Sequence, residues 1–133
     1  MRRIVFGLMV GAAIIGAGMP LMAHHSFAAE FDSNKVVKMT GTVTKIDWTN
    51  PHVWFFVNVK DETTGQLTNW GFEMGSPNAL QTDGGWTFNT MKVGMVVTVV
   101  ASRAKDGSNK ANTSTVTVNG KRLGGASSGG PAQ

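Results

Sequence analysis

The fold is decided by residues 41–61, which read GTVTKIDWTNPHVWFFVNVKD. β-Branched and aromatic residues, which suit a pleated surface, dominate positions 53–59 and predict a strong strand there. Pro51 has no N–H to donate to a β-ladder, and it biases Asn50 away from helical geometry. The stretch therefore predicts two strands joined by a sharp turn at Asn50-Pro51.

The first of these strands extends upstream to residue 36 and changes phase along its length. Its apolar residues lie first at odd positions, Val37, Met39 and Val43, and then at even positions, Ile46 and Trp48. Because successive side chains of a strand point to opposite faces, such a change requires a bulge or a bend. We expect one long, bent strand that serves two sheets.

A third strand is predicted at residues 67–74, after a hairpin loop at 61–66. In the favoured register, the even positions of the third strand lie beside the odd positions of the second strand, and together they form the inner face. A slip of one residue would bury Glu73 among valines, so this register is preferred. Trp54 then lies opposite Glu73, and Phe56 lies opposite Gly71, on the outer face.

The rest of the chain supplies one short helix and two more strands. Ser76 and Pro77 are a helix start signal, and Gly84-Gly85 ends the turn that follows. Valine-rich strands are expected at 95–103 and 113–118 around a turn at 105–109. Three strands, a helix and two strands predict an all-β, five-stranded OB-fold-like barrel over residues 35–123; an open five-stranded sandwich is the alternative.

The two ends of the chain have a different character. Residues 1–23 have a basic start, an apolar run of about 16 residues and a small residue at the end, which is the layout of a secretory signal peptide. The run is shorter than the roughly 20 residues needed to span a bilayer, so we expect cleavage and no stable membrane anchor. An N-terminal arm at 24–34 and a disordered Gly/Ser-rich tail at 124–133 complete the expected organisation.

The charge distribution and the cysteine content exclude several classes of partner and of covalent link. Without residues 1–23 the chain has ten Lys/Arg against eight Asp/Glu, and these cations are spread along the sequence. Nucleic-acid binders cluster their cations, so we expect no nucleic-acid partner. The chain has no cysteine, so neither a disulfide nor a lipoprotein thiol is available. We expect a periplasmic or secreted domain held together by its core alone.

All three histidines are candidate metal ligands. Cleavage after Ala23 leaves His24 with a free α-amino group, which chelates Cu(II) together with its own imidazole, and His25 or His52 completes the set. The expected register adds Glu73 near His52. The alternative is that His24 and His25 are polar residues on a mobile arm beside a processing site, and that His52 only hydrogen-bonds its turn. Both interpretations stay open.

Aromatic residues on the outer face are a second candidate site. Trp54 and Phe56 lie where OB barrels dock their ligands, and Trp48 and Trp86 extend the set of candidate ligand contacts. This face predicts a small-ligand site or a docking surface for an envelope protein. The alternative is that the N-terminal arm or the Trp86 loop covers the face.

No catalytic constellation is recognisable in the sequence. The serines lie in turns or in the tail without a nucleophile motif, and no glycine-rich loop stands between a strand and a helix. We therefore expect a binding module, possessing no enzymatic activity, that takes Cu(II) or another divalent metal, or else a ligand on its aromatic face.

Several short segments also carry a resemblance. The sequence resembles a family of small exported bacterial proteins of uncharacterised function in HHSF at 24–27, GTV at 41–43, NPH at 50–52, SPN at 76–78 and GW at 85–86. The resemblance covers nearly all of residues 24–123 and implies an exported domain. The layout is similar to that of the bacterial periplasmic OB-fold proteins, which is a likeness of architecture alone.

Overall fold

The computed structural model describes residues 27–126, which form six strands and two short helices. The elements are α1 (Phe27–Glu30), β1 (Phe31–Asp47), β2 (Trp54–Lys60), β3 (Leu67–Glu73), α2 (Pro77–Thr82), β4 (Val96–Ala104), β5 (Lys110–Val118) and β6 (Lys121–Gly124). Within this range, no helix is long and apolar enough to cross a membrane.

The strands form one sheet that closes on itself. Its order is β3-β2-β1-β4-β5-β6, and a parallel pairing between β3 and β5 joins the two sides of the sheet. All other neighbouring pairs are antiparallel. The expected all-β, OB-like class is confirmed, and the β3–β5 pairing selects the barrel over the open sandwich.

Strand β1 is long and irregular, as its change of phase predicts. It pairs with β4 through positions 36–42 and with β2 through positions 41–47. The register with β2 shifts between Val43 and Lys45, so an extra residue is accommodated at Thr44. This is the predicted bulge, and it lets one strand contribute to both sides of the barrel.

The register of the β2–β3 hairpin is also the predicted one. Trp54 pairs with Glu73, and Phe56 pairs with Gly71. On the opposite side Phe55 and Phe72 are fully buried, with ring centroids 5.3 Å apart. The hairpin therefore has an apolar inner face and a mixed outer face.

The predicted ends of the barrel need correction. β1 begins at Phe31, before the expected boundary at residue 35, because Phe31 is buried and pairs with Ala104 of β4. At the other end, β6 was not expected, and the tail cannot begin at Gly124. Gly125 donates to the Ser114 carbonyl at 2.9 Å and accepts from the Gly75 N–H at 2.8 Å. Predicted features at 1–26 and 127–133 lie outside the described residues.

Asn119 and Gly120 explain why β6 exists. Both residues have positive φ, 49° and 75°, and they connect β5 to β6. An Asn-Gly pair is the preferred sequence of a tight hairpin turn with positive φ at both positions. The pair therefore forms the turn of a further hairpin, between β5 and β6, so the chain continues as a strand beyond Val118.

The core lies between the barrel strands and α2. Ser76 caps this helix, its hydroxyl accepting from the Ala79 N–H at 3.1 Å, and Pro77 occupies the first helical turn, as predicted. Leu80 of α2 is fully buried. It joins a cluster whose largest members are Trp86, Phe55, Phe72 and Met74.

Candidate binding site

The outer face of β2 and β3 presents two half-buried aromatic rings, those of Trp54 and Phe56. Gly71 makes room for them, because a Cβ at this position would lie 3.1 Å from the Phe56 ring and 3.6 Å from the Trp54 ring. The Lys45 ammonium lies 5.4 Å from the centre of the Phe56 ring. Neither ring is buried in the core, so both predicted ligand contacts remain partly accessible.

A chain of three polar residues runs beside this aromatic surface. Nδ1 of His52 contacts one carboxylate oxygen of Glu73. The other oxygen accepts a hydrogen bond from the Asn112 side-chain amide at 3.4 Å. Glu73 and Asn112 are buried, whereas 25% of the His52 side-chain surface is exposed. The structure thus confirms the predicted proximity of His52 and Glu73 and adds Asn112.

Backbone pairing fixes this polar chain. Glu73 lies directly opposite Trp54 across the β2–β3 ladder and opposite Asn112 across the parallel β3–β5 ladder. His52 follows Pro51 and lies two residues before Trp54. Because three segments meet at Glu73, its carboxylate is held in place by strands on both sides.

A cleft of about 590 Å³ opens next to Trp54. Its walls come from three parts of the chain: α1 and the start of β1, strand β2, and the segment from the end of β4 through the β4–β5 turn to the first residue of β5. The lining includes Glu30, Phe31, Trp54, Lys105, Asp106 and Lys110. Side chains of both charges therefore surround one aromatic wall.

Hydrogen bonds hold the β4–β5 turn against α1. The Lys105 N–H donates to the Glu30 carbonyl at 2.8 Å, and the Lys105 ammonium donates to the Ala28 carbonyl at 2.5 Å. Within the turn, the Ser108 N–H donates to the Asp106 carboxylate at 2.9 Å. These contacts give the cleft a defined shape on the side opposite Trp54.

The charged cleft residues were missed at the level of sequence. Lys105 and Asp106 read as an ordinary hairpin turn, and Lys110 reads as its end. The expected fold class could have pointed to these residues, because the loop between the fourth and fifth strands of an OB barrel flanks the ligand face. Only the fold brings that loop to Trp54.

The structure does not bring the other two predicted aromatic contacts to the cleft lining. Trp86 is 2% exposed, and its indole N–H donates to the Gly124 carbonyl at 2.8 Å, so it serves the core and not a ligand. Trp48 packs against Phe88, with ring centroids 5.2 Å apart. The lining of the cleft contains neither residue.

The predicted metal ligands divide into two groups. His24 and His25 lie outside the described residues. Between Phe27 and Ala126, no group of three or more histidine, aspartate or glutamate side chains is arranged to hold a metal ion. His52 and Glu73 are thus two neighbouring members of the predicted set of four.

Comparison with known proteins places the chain in a family. The model of the family of unknown function DUF6152 matches residues 12–114. The chain belongs to this family. The expectation of an uncharacterised family is confirmed, and no curated protein sequence matches the chain.

One solved structure is similar to the DUF6152 chain in fold. It is the mitochondrial single-stranded DNA binding protein Rim1 of S. cerevisiae, which is 12% identical and superposes with a TM-score of 0.47. The match covers 67% of this chain and 94% of Rim1. At this identity the likeness concerns the fold alone.

Proposed function

We propose that this DUF6152 protein is an exported, non-enzymatic binding module that takes a small ligand in the Trp54 cleft. The observation that carries the proposal is the cleft itself, about 590 Å³ in volume with one aromatic wall and ionic groups of both signs. Ligand sites are typically concavities of about 300–1,000 Å³ that combine apolar walls with a few polar groups. The signal-like residues 1–23 support export.

The lining defines the chemistry of the ligand. Trp54 offers aromatic surface, whereas Lys105, Lys110 and Asp106 offer charge. A matching ligand has a flat or ring-shaped part for Trp54 and ionic or hydrogen-bonding groups for the β4–β5 turn. Aromatic peptides with free termini and short N-acetylated oligosaccharides both meet this description.

Calorimetric titration with two probes tests the cleft: an aromatic dipeptide with free termini and an N-acetylated trisaccharide. Wild type is expected to bind at least one, and Trp54→Ala is expected to weaken that binding by more than about tenfold, or roughly 1.4 kcal/mol. Trp48→Ala is the matched control, because Trp48 is also half-buried but does not line the cleft. Equal losses in the two variants, or no binding of either probe by wild type, would contradict the proposal.

A second candidate function is the binding of Cu(II) or another divalent metal by His24, His25 and His52. The contact between His52 and Glu73 favours it, because metal-binding histidines commonly use their second ring nitrogen to contact a carboxylate. Residues 29–31, near the start of the described part of the chain, line the same cleft as Trp54, which lies two residues beyond His52.

The metal function is tested on protein purified from the periplasm of an exporting host. Intact mass identifies the mature terminus, and Cu(II) titration compares that form with one that has an extra residue before His24. A terminal histidine chelate predicts binding more than about tenfold weaker for the extended form, or roughly 1.4 kcal/mol. Equal, weak binding by both forms would remove this candidate.

A further inference from the structure

The aromatic surface of β2 extends beyond the cleft. Trp54 lines the cleft and Phe56 does not, although both rings are half-buried on the same face. The two residues are two positions apart on β2, so their Cα atoms are separated by roughly 7 Å along the strand. Atoms of both rings occupy the space that a side chain at Gly71 would need. The rings therefore lie side by side, with no β3 side chain at position 71 to separate them.

A pair of amide side chains continues this face one step further along the hairpin. Asn58 lies opposite Asn69 in the β2–β3 ladder. The Asn69 Nδ2 atom donates to Oδ1 of Asn58 at 2.8 Å and to the Thr44 hydroxyl at 3.1 Å. These bonds use both hydrogens of the Asn69 amide, so the NH₂ group of Asn58 and the carbonyl oxygen of Asn69 are left for solvent or a ligand. We call Trp54, Phe56, Asn58 and Asn69 the hairpin strip.

The charges around the hairpin strip give no excess of cations. The cleft lining has two acidic and two basic residues, and Glu73 is a further acidic group on the outer face. Beside Phe56, the Lys45 ammonium is 2.8 Å from the Asp47 carboxylate. This ion pair is exposed, so it rearranges at little cost when a ligand covers Phe56. Polyanions require clustered cations, so the charges favour an uncharged ligand.

The position of the hairpin strip within the sheet disfavours an extended peptide. Peptides that bind sheets usually add to an exposed edge, where backbone groups pair with the strand. β2 lies between β1 and β3, and its backbone groups serve those two ladders. A peptide over the strip would find no backbone partner there. A sugar ring needs none, because it packs its apolar C–H face on an aromatic ring and bonds side chains through the groups at its edge.

We infer that the hairpin strip binds a linear, uncharged, N-acetylated oligosaccharide. One sugar ring stacks on Trp54 and the next on Phe56, and an acetamido group of the chain reaches the Asn58–Asn69 pair. An acetamido group has one N–H donor and one carbonyl acceptor, which complement the Asn69 carbonyl and the Asn58 NH₂ group. The inference rests on the proposed ligand function of the Trp54 cleft and narrows its ligand class to sugars.

Calorimetric titration of the protein with N-acetylglucosamine oligomers, from the monomer to the trimer, tests the length of the site. Wild-type affinity is expected to rise at least about tenfold over this series, because the trimer reaches the whole strip and the monomer only one ring. Equal affinities for the monomer and the trimer would overturn the inference. This comparison uses wild type alone, so it does not depend on the folding of any variant.

Phe56→Ala tests the second stacking position. The variant is expected to bind the trimer at least about fivefold more weakly than wild type and the monomer nearly as well. Phe88→Ala is the matched control, because Phe88 is 67% exposed and lies outside the strip, and it should bind like wild type. Circular dichroism verifies that both variants fold. Full trimer affinity in a folded Phe56→Ala variant would overturn the inference.

Asn69→Ala tests the amide pair, with the glucose trimer as the probe that lacks acetamido groups. The variant is expected to lose the preference of wild type for the N-acetylglucosamine trimer over the glucose trimer. An unchanged preference in the folded variant would overturn the assignment of Asn58 and Asn69.

Two further probes separate this inference from the proposed function. If the aromatic dipeptide binds through Trp54 and no sugar oligomer binds, the inference is overturned and the cleft function stands. If neither binds, both are removed. Tighter binding of single-stranded oligothymidylate than of the N-acetylglucosamine trimer would also overturn the inference.

Discussion

The inner and outer faces of the β2–β3 hairpin belong to the same two strands but differ in chemistry. On the inner face, Phe55 and Phe72 are fully buried and stack on each other. On the outer face, Trp54 and Phe56 are half-buried, with Glu73 and Gly71 opposite them. The inner face contributes to stability through packing, whereas the outer face combines aromatic surface with a buried, hydrogen-bonded carboxylate.

The comparison separates the residues that hold the barrel together from those available for binding. A buried carboxylate is costly unless it is hydrogen-bonded, and Glu73 has partners on both of its oxygens. Such a group is not needed to close a small barrel, because the apolar inner face already supplies the core. Its presence on the outer face is the strongest local sign of a function there.

The largest expected effect comes from breaking the inner face with Phe55→Ala. Removal of a fully buried phenylalanine costs about 3–5 kcal/mol of unfolding free energy, because packing is lost and a cavity is left. Chemical denaturation measures the change. Phe88→Ala is the control, since Phe88 is 67% exposed and its removal should cost less than about 1 kcal/mol. Similar losses in the two variants would contradict the assignment of Phe55 to the core.

On the outer face, Trp54→Ala is expected to cost about 1–2 kcal/mol of unfolding free energy, well below the cost of a buried aromatic residue. The indole is half-buried, so less apolar area returns to water when it is removed. The same denaturation series measures this change. A loss as large as that of Phe55→Ala would show that Trp54 belongs to the core and would remove the contrast between the faces.

A smaller effect is expected when the outer face is crowded with Gly71→Ala. The new Cβ lies 3.1 Å from the ring of Phe56, a side chain that is half-buried and can shift. The expected cost is below about 1 kcal/mol, measured by thermal or chemical denaturation. Gly41→Ala is the matched comparison and should lose much more unfolding free energy. Its Cβ would lie 2.2 Å from the Asn58 carbonyl oxygen, which is a backbone atom of the neighbouring strand. Equal losses would contradict this reading of the outer face.

The smallest effect is expected at Asp61, in the turn that joins β2 to β3, where a substitution touches neither the inner nor the outer face. Hydrogen bonds from the backbone N–H groups of Thr64 and Thr63 lower the pKa of Asp61 from its usual 3.8. A lowered native pKa adds stability above the unfolded pKa, and this is lost as the pH falls through the folded value. Wild type should therefore exceed Asp61→Asn slightly in unfolding free energy at neutral pH, with the difference vanishing in acid. Urea denaturation over a pH series measures it; a difference independent of pH would contradict the assignment.

Local sequence patterns were sufficient for the hairpin and for the bend in β1. The phase change between Val43 and Ile46 gave the bulge, and the cost of burying Glu73 among valines gave the register. Both inferences rest on the alternation of side chains along a strand, which the sequence shows directly. The contact between His52 and Glu73 followed from that register.

The remaining features of the fold and of the cleft depend on long-range packing, so local sequence patterns did not predict them. β5 begins at Lys110, before its expected start, because it gains a parallel partner in β3. Trp86 has the same chemistry as Trp54, yet it is placed in the core by the chain around Gly124. The side of the cleft opposite Trp54 depends on a contact between Lys105 and Ala28, 77 residues apart. No local pattern contains these contacts.

The sequence by itself determined the strands, their bend, the helix start at Ser76 and the register that sets Trp54 opposite Glu73. These features depend on propensity and on side-chain alternation over short distances. Only the tertiary structure decided that β3 and β5 close the barrel, that Asn112 meets Glu73, and that the β4–β5 turn faces Trp54. Each of these contacts joins segments distant in the chain, and their positions become fixed only when the barrel buries its common apolar core.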